Sequence, residues 1–254
     1  MLFTELPVLE RPAAARAAGF DAIEFWWPFD VAVPDDRAVD EFVSAVGDAG
    51  VRLVGLNFFA GDMPAGDRGV VSWPGRENEF RDNVGVAVGI AERLGCRAFN
   101  ALYGNRLDGA DPDEQDALAV GNLTFAADAV AEIGATVLIE PVSGAPRYPL
   151  RTTSDVLAVI DRVDRDNVAL LADLYHLTVN GDDVDAVVAD HVSRIGHVQI
   201  ADVPGRNEPG TGRLDIDGYL AKLQAGGYSG HVGAEYKPTV ASADSFGWLF
   251  DRKD

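Results

Sequence analysis

The segment "IGHVQIAD", residues 195–202, decides the fold, because it shows in one place a pattern that the whole chain repeats. It begins as a strand in which Val198 and Ile200 alternate with polar neighbours, and it carries an amide, Gln199, in its middle. An amide inside an apolar layer costs a few kcal/mol unless its polar atoms find partners. The segment therefore predicts a buried strand whose glutamine has a partner that the strand alone does not supply.

Six other short apolar runs share this form, and helix-like stretches such as 35–50 and 78–95 separate them. Several of these stretches end at a glycine just before the next run, which is typical of a helix C-terminus. No polar linker or shift in composition interrupts the alternation, so we predict a single domain, 1–254, built on a parallel sheet. The seven runs are 22–27, 51–59, 98–104, 136–142, 168–176, 195–202 and 231–237.

The chain opens on a helix-like stretch, residues 6–19, rather than on a strand. Seven strand–helix units preceded by a lone helix predict a (β/α)₈ TIM barrel whose first strand is missing from this chain. A complete barrel of this class has about 250 residues. A doubly wound open sheet is the alternative, but no G-x-G-x-x-G motif follows an early strand, which disfavours its nucleotide-binding form.

Composition excludes several classes of function. The chain has 41 acidic and 21 basic residues among 254, a net charge of −20, and no basic cluster, which disfavours nucleic-acid binding. No apolar run approaches the ~20 residues of a membrane helix. The start of the chain lacks the pattern of a signal peptide, and the single Cys96 cannot form an internal disulfide. We therefore expect a cytoplasmic protein that acts on a small molecule. Assembly into a homo-oligomer is compatible with this expectation.

Polar residues stand near the ends of the last four strand-like runs. They are Glu140, Asp173, Gln199 and Glu235. A closed barrel brings such strand ends together, and three neighbouring carboxylates repel unless a positive charge compensates them. Four oxygen donors suit a hard divalent cation, Mg²⁺ or Mn²⁺, better than Zn²⁺. The alternative is a set of unrelated buried groups, each satisfied by backbone or water.

Several motifs resemble those of the hydroxypyruvate isomerase family, which belongs to the xylose isomerase-like TIM barrels. The resemblance runs from about Ala14 to Lys237, and members begin with a strand that this chain lacks, ahead of a stretch similar to "MLFTELP". The motifs that carry it are "LIEPV" (138–142), "ADLYH" (172–176), "GHVQIAD" (196–202), "RNEPGTG" (206–212), "GAEYKP" (233–238) and the segment 65–84.

The resemblance implies that Glu140, Asp173, Gln199 and Glu235 bind the metal. Related epimerases have His in place of Gln199, so this glutamine favours the hydroxypyruvate isomerase branch. The implied reaction converts hydroxypyruvate to 2-hydroxy-3-oxopropanoate (tartronate semialdehyde) through an enediolate. Glu140 and Glu235 are then the catalytic residues, and either can be the base that removes the proton.

We expect five further residues to bind the substrate: His176, Arg206, Lys237, Glu24 and Arg68. A neutral imidazole can hydrogen-bond a substrate oxygen, and a guanidinium suits the carboxylate of a 2-oxo acid. For each of these two residues, the alternative is an ordinary loop side chain.

Supporting roles are expected for residues around these groups. Asp202 could support the metal ligands, and Glu208 could orient Arg206. The loop 59–78 has the length of a lid, and Trp73 could close it over a small substrate. Three aromatic residues after Glu24 could form an apolar wall, namely Trp26, Trp27 and Phe29.

Other functions stay open on the sequence. A 2-oxo-tetronate isomerase or a ketose 3-epimerase is the closest enzymatic alternative. The endonuclease branch of the same barrels binds several zinc ions with additional His ligands, and four His with a charge of −20 disfavour it. An alternative of another class is a non-catalytic or truncated binding barrel, because a missing strand would expose two unpaired edges.

Overall fold

The structure, a computed structural model, describes residues 1–250 and contains the predicted parallel barrel; the last four residues of the predicted domain lie outside the described residues. The strands occur in space in their order along the chain. They are β1 (Ala22–Phe25), β2 (Arg52–Asn57), β3 (Ala98–Asn100), β4 (Thr136–Ile139), β5 (Val168–Asp173), β6 (Ile195–Ile200) and β7 (Val232–Ala234).

Helices connect these strands and cover the outside of the sheet. The described helices are α1 (Arg11–Ala17), α2 (Asp36–Ala49), α3 (Glu77–Leu94), α4 (Pro112–Ala131), α5 (Thr153–Val163), α6 (Leu174–Asn180), α7 (Val184–Asp190), α8 (Ile216–Ala225) and α9 (Gly247–Phe250). Short 3₁₀ turns lie at Val8–Glu10, Val192–Arg194 and Ser242–Asp244. Within residues 1–250, no helix is long and apolar enough to cross a membrane.

The helix boundaries confirm the signals in the sequence. The side chain of Asp35 accepts a hydrogen bond from the backbone of Ala38 and caps the start of α2. Gly50 and Gly95, with φ of 66° and 75°, end α2 and α3 in the left-handed conformation that glycine adopts at low cost. Phe42 and Phe80 bury the inner faces of these helices in the main core.

The barrel stays open along one seam. Among the described residues, β1 pairs with β2 and β7 with β6, but β1 and β7 do not pair with each other. The expectation of seven strands preceded by a helix is therefore confirmed.

A cavity of about 1110 Å³ lies at the seam and reaches the barrel interior, where Glu24, His197 and Gln199 line it.

The first and last described segments pack together beside this seam. Phe3, Tyr236 and Phe246 belong to a small apolar cluster that is separate from the main core. The backbone N–H of Phe3 donates to Ser242 Oγ at 2.7 Å, and Glu5 accepts a bond from the backbone of Ser242 at 3.1 Å. These contacts tie the two ends of the described chain to each other.

Candidate active site

The four polar strand ends lie on consecutive strands and are all buried. Glu140 follows β4, Asp173 ends β5, Gln199 lies in β6, and Glu235 follows β7. Asp173 and Gln199 are paired in register, so their side chains leave the sheet on the same face. The four groups therefore come from neighbouring strands, as the sequence predicts.

Burial and two neighbouring carboxylates oppose the ionisation of Glu140, whereas one hydrogen bond favours it. Asn100 Nδ2 donates to its Oε2 at 3.0 Å. Burial, followed by the charges of Glu235 and Asp173, raises the pKa of Glu140 well above its usual value.

Glu235 receives two hydrogen bonds on different oxygens. The indole Nε1 of Trp26 donates to Oε1 at 2.7 Å, and Arg206 Nη2 donates to Oε2 at 3.0 Å. Burial raises the pKa of Glu235, although Arg206 opposes the rise and Asp173 adds to it. Trp26, predicted as part of an apolar wall, contacts the site through its polar N–H instead.

Asp173 both caps a helix and belongs to the acidic cluster. Its Oδ1 accepts a bond from the backbone of Tyr175 at 2.9 Å at the start of α6. Its Oδ2 accepts from Arg206 at 2.9 Å. Burial raises the pKa of Asp173 to about 6 despite these favourable contacts.

Arg206 places a positive charge among the three carboxylates. Its Nη2 bonds both Asp173 and Glu235, and its guanidinium lies over the ring of Tyr175 at 5.2 Å. Its side chain is 15% exposed, and its Nε is buried with no partner. The charge of Arg206 thus compensates the repulsion among the three carboxylates, a role that we expected from the sequence for a metal ion.

The donor set nevertheless fits a hard cation. Gln199 Oε1 is a buried acceptor with no hydrogen-bond partner. Such an orphaned oxygen, between strands that carry Asp173 and Glu235, is typical of a ligand whose partner is an ion. Within residues 1–250, no three His, Cys, Asp or Glu side chains converge closely enough to form a metal site by themselves. Arg206 Nη2 bonds two of the four proposed donors, Asp173 and Glu235.

His176 lies beside this cluster as a neutral imidazole. Its Nδ1 accepts a bond from the backbone N–H of Ser143 at 2.9 Å, which assigns its proton to Nε2. Nε2 lies 3.6 Å from Asp173 Oδ2, too far for a hydrogen bond. Burial, with a contribution from Arg206, lowers the pKa of His176 to about 3. The side chain can therefore donate a hydrogen bond to a ligand at neutral pH.

Glu24, expected to bind substrate, is bonded to β6 inside the barrel. Its Oε2 lies 2.6 Å from His197 Nε2, and its Oε1 accepts a bond from Gln199 Nε2 at 3.0 Å. Burial opposes both charges, yet the pair lowers the pKa of Glu24 and raises that of His197. Each side chain therefore favours the charged form of the other.

The other two expected substrate-binding residues lie at the edge of the site. Arg68 donates to the backbone oxygens of Met63 and Asp67 within its own loop, and its charge helps to lower the pKa of His176. Lys237 is exposed, and its backbone N–H donates to the carbonyl of Arg206 at 2.6 Å. The backbone of Lys237 thus anchors the loop that carries Arg206.

Two supporting roles predicted for this loop are wrong. Asp202 does not bond a predicted metal ligand; it accepts bonds from the backbone N–H groups of Val203, Gly210, Gly212 and Leu214. Each carboxylate oxygen takes two of these donors, so Asp202 shapes the loop.

Glu208 does not orient Arg206. It accepts bonds from the backbone N–H and the hydroxyl of Thr239. This contact ties the loop that carries Arg206 to the segment after β7.

The segment after β2 is anchored to the next loop. Ser72 N–H donates to the Tyr103 carbonyl at 2.9 Å, and Trp73 Nε1 donates to the Asn105 carbonyl at 2.8 Å. Two of the three aromatic residues expected to form an apolar wall contact each other. Trp27 Nε1 donates to the Val31 carbonyl, and the Trp27 ring meets the Phe29 ring edge to face.

Sequence reasoning missed Ser143 and His197. His197 carries a signal that could have been read, because it stands two residues before Gln199 on the same strand and must share its face. Ser143 gives no such signal, since its contact with His176 joins the segment after β4 to helix α6, 33 residues further along the chain.

The fold and this site define a class of protein, and comparison with known proteins agrees. The model of the xylose isomerase-like TIM barrel family matches residues 12–252. The chain belongs to this family.

Named relatives are similar over nearly the whole chain. A Streptomyces coelicolor protein, provisionally named a hydroxypyruvate isomerase, is 52% identical over 98% of this chain and 92% of its own length. The hydroxypyruvate isomerase of Escherichia coli is 34% identical over 98% and 95% of the two chains. The 2-oxo-tetronate isomerase of Cupriavidus necator is 35% identical over 98% and 94%. The protein is thus an isomerase of the hydroxypyruvate isomerase group.

A solved structure supports the same fold. The crystal structure of AP endonuclease, family 2, from Brucella melitensis superimposes with a TM-score of 0.90. It is 35% identical, and the match covers 100% of this chain and 96% of that one.

Proposed function

We propose that the protein is a metal-dependent aldose–ketose isomerase of a small hydroxy-oxo acid, with hydroxypyruvate and 2-hydroxy-3-oxopropanoate as its substrate pair. One observation carries the proposal: Arg206 stands among three buried carboxylates, bonded to Asp173 and Glu235. A proton-transfer reaction of an acid needs both carboxylates that exchange protons and a cation that binds the substrate's own carboxylate. Relatives named for hydroxypyruvate and 2-oxo-tetronate support the same substrate class.

Glu140, Asp173, Gln199 and Glu235 would hold a divalent cation, Mg²⁺ or Mn²⁺, through oxygen atoms. The cation, when bound, stabilises negative charge on the substrate oxygens as a Lewis acid. Its charge would also replace that of Arg206 beside Asp173 and Glu235. The guanidinium is then free to form paired hydrogen bonds with the substrate carboxylate.

Glu140 and Glu235 would carry the proton between the two carbons. One glutamate, as carboxylate, removes a proton from C3 of hydroxypyruvate, and the C3–H electron pair forms the C2–C3 double bond of an enediolate. In the same step the π pair of the C2 carbonyl moves onto the C2 oxygen. The other glutamate, as acid, donates a proton to C2, while the proton of the C3 hydroxyl passes to the C2 oxygen, which leaves an aldehyde at C3 and a hydroxyl at C2. Burial raises the pKa of both glutamates, which makes each a better proton acceptor as a carboxylate.

His176 would assist by holding a substrate oxygen. Its Nε2 carries the proton, and its neutral state lets it donate to a hydroxyl without adding a charge. Trp26 would keep Glu235 oriented, since its N–H bonds Oε1, and Oε2 would face the reacting carbon once Arg206 bonds the substrate instead.

The test is a substrate panel on the purified protein, stripped with chelator and reloaded with Mg²⁺ or Mn²⁺. Proton NMR in D₂O follows hydroxypyruvate, 2-oxotetronate and neutral ketohexoses. We expect turnover of the two acids, loss on stripping and recovery on reloading, with the exposed-site variant Glu132→Gln matching the unmodified protein. Turnover of ketohexoses alone would overturn the acid assignment, and no turnover of any compound would favour a non-catalytic barrel.

The 2-oxo-tetronate relatives favour a second candidate, isomerisation of a four-carbon 2-oxo acid by the same site. The same panel separates the two, because the preferred acid has the higher kcat/KM.

A further inference from the structure

We propose that Glu24, held by His197, is a positioning residue that sets which end of the Gln199 side-chain amide faces the proposed cation. The inference rests on the proposed function for the identity of the ion, but its geometry lies entirely within the described barrel. Glu24 comes from β1, while His197 and Gln199 come from the same face of β6.

The three side chains form a short chain of hydrogen bonds across the barrel interior. His197 Nε2 lies 2.6 Å from Glu24 Oε2, and Gln199 Nε2 donates to Glu24 Oε1 at 3.0 Å. Gln199 and His197 are both 5% exposed. These bonds connect the interior of the barrel to the strand ends where the acidic cluster lies.

An ionised carboxylate only accepts hydrogen bonds, so it selects one orientation of the amide. The NH₂ end of Gln199 must face Glu24, because its carbonyl oxygen there would meet a like-charged oxygen. The carbonyl oxygen is consequently left on the other side, and there it is buried with no partner. The two ends of an amide are almost equal in size, so packing alone does not distinguish them.

Two glycines provide the space that Glu24 occupies. A Cβ at Gly233 of β7 would stand 2.2 Å from Glu24 Oε1, and one at Gly55 of β2 would stand 3.2 Å from the Glu24 Cβ. Gly233 is also paired in register with Gln199. The absence of a side chain at Gly233 therefore allows Glu24 to reach the amide.

The alternative role is a plain ion pair that stabilises the barrel interior. It predicts that loss of Glu24 weakens the fold and changes nothing specific at Gln199. A positioning role predicts an effect that exists only while residue 199 is an amide, since an uncharged side chain such as that of the Gln199→Met variant has no amide to orient.

The first experiment observes the amide directly. The chain contains three glutamines, Gln115, Gln199 and Gln224, so ¹⁵N-glutamine labelling of the unmodified protein yields three side-chain NH₂ pairs, assigned by substitution. Glu24→Gln adds a fourth pair, from position 24. We expect Glu24→Gln to shift the Gln199 pair and speed its exchange with solvent, and to leave the pair of the exposed Gln224 in place. An unmoved Gln199 pair in Glu24→Gln would overturn the inference, whatever the metal does.

The second experiment measures Mn²⁺ dissociation constants by titration calorimetry. Glu24→Gln is expected to weaken Mn²⁺ binding about tenfold when residue 199 is Gln, and less than threefold in the Gln199→Met background. Gly233→Ala displaces Glu24 without removing its charge and is expected to show the same dependence on residue 199. Equal weakening in both backgrounds would overturn the inference.

Failure of the proposed function gives a different result. If the unmodified protein binds no Mn²⁺, the proposed metal site is wrong, whereas the labelled amide still reports whether Glu24 orients Gln199.

Gly85→Ala is the matched control for Gly233→Ala, because nothing lies within 4 Å of a Cβ at that position of α3.

Discussion

Arg206 donates from Nη2 to Glu235 Oε2 at 3.0 Å, which puts one of the chain's own cations against a proposed metal ligand and proton carrier. The same nitrogen bonds Asp173, so one guanidinium bridges the ends of β5 and β7. A metal ion and Arg206 would therefore compete for the same two carboxylates.

Replacing Arg206 should change metal and substrate affinity in opposite directions. Arg206→Met removes the competing cation, and Mn²⁺ should bind about tenfold more tightly. It also removes the partner of the substrate carboxylate, and KM for the acid should rise about 10- to 100-fold, the loss expected of a charged hydrogen bond. Calorimetry and steady-state kinetics measure the two effects. Arg213→Met, an exposed change in the same loop, is the control, and unchanged Mn²⁺ affinity in Arg206→Met would contradict the prediction.

Substituting the two glutamates should separate their roles. Glu140→Gln and Glu235→Gln should each lower kcat about 10²- to 10⁴-fold, because each removes a proton-transfer group. The variant that retains the base should still exchange the C3 proton of hydroxypyruvate with D₂O, as followed by NMR. If either variant keeps kcat within threefold of the unmodified protein, that residue does not carry the proton.

Asp202 should make the Arg206 loop sensitive to acid. Burial alone would raise the pKa of Asp202, but hydrogen bonds from four backbone N–H groups lower it below its usual value. A depressed folded-state pKa adds stability above the unfolded value of ~3.9, and this stability is lost as pH falls through the folded value.

Asp202→Asn should therefore destabilise the protein by about 1–3 kcal/mol at pH 7, the cost of a lost charged hydrogen-bond acceptor. The difference from the unmodified protein should shrink below pH ~4. Urea unfolding at both pH values measures it, with the exposed Asp48→Asn as control. A difference that does not depend on pH would show that the charge of Asp202 is unimportant.

Gly85→Ala should stabilise the protein. Gly85 lies within α3, and a Cβ there meets nothing within 4 Å. Alanine restricts the unfolded chain more than glycine does, so the free energy of unfolding should rise by about 0.4–1 kcal/mol. Thermal unfolding measures the gain, and a lower Tm would mean that the helix is strained at this position.

Much of the fold is predictable because its signals are local. The alternation of apolar runs and the glycines at helix ends locate the strands and helices, and the positions of Asp173 and Gln199 near strand ends bring them together. These signals depend on neighbours within a few residues, so the sequence carries them directly.

The internal arrangement of the site is less predictable because its contacts join distant parts of the chain. Glu24 and His197 are 173 residues apart, and their bond depends on the curvature of the barrel and on the space at Gly233. The need for a positive charge near the carboxylates follows from the sequence. That Arg206 supplies it depends on a loop whose shape is set by Asp202 and by the backbone of Lys237.

Trp26 gives the molecule an intrinsic optical reporter. Its indole N–H is bonded to Glu235 and its side chain is partly open to solvent, so the emission of this fluorophore depends on what that carboxylate contacts. Binding events at the strand ends can therefore be followed by tryptophan fluorescence without a dye, with Trp26→Phe as the reference for the emission of the other three tryptophans. The fluorescence of Trp26 would thus report on Glu235, one of the two glutamates proposed to transfer the substrate proton.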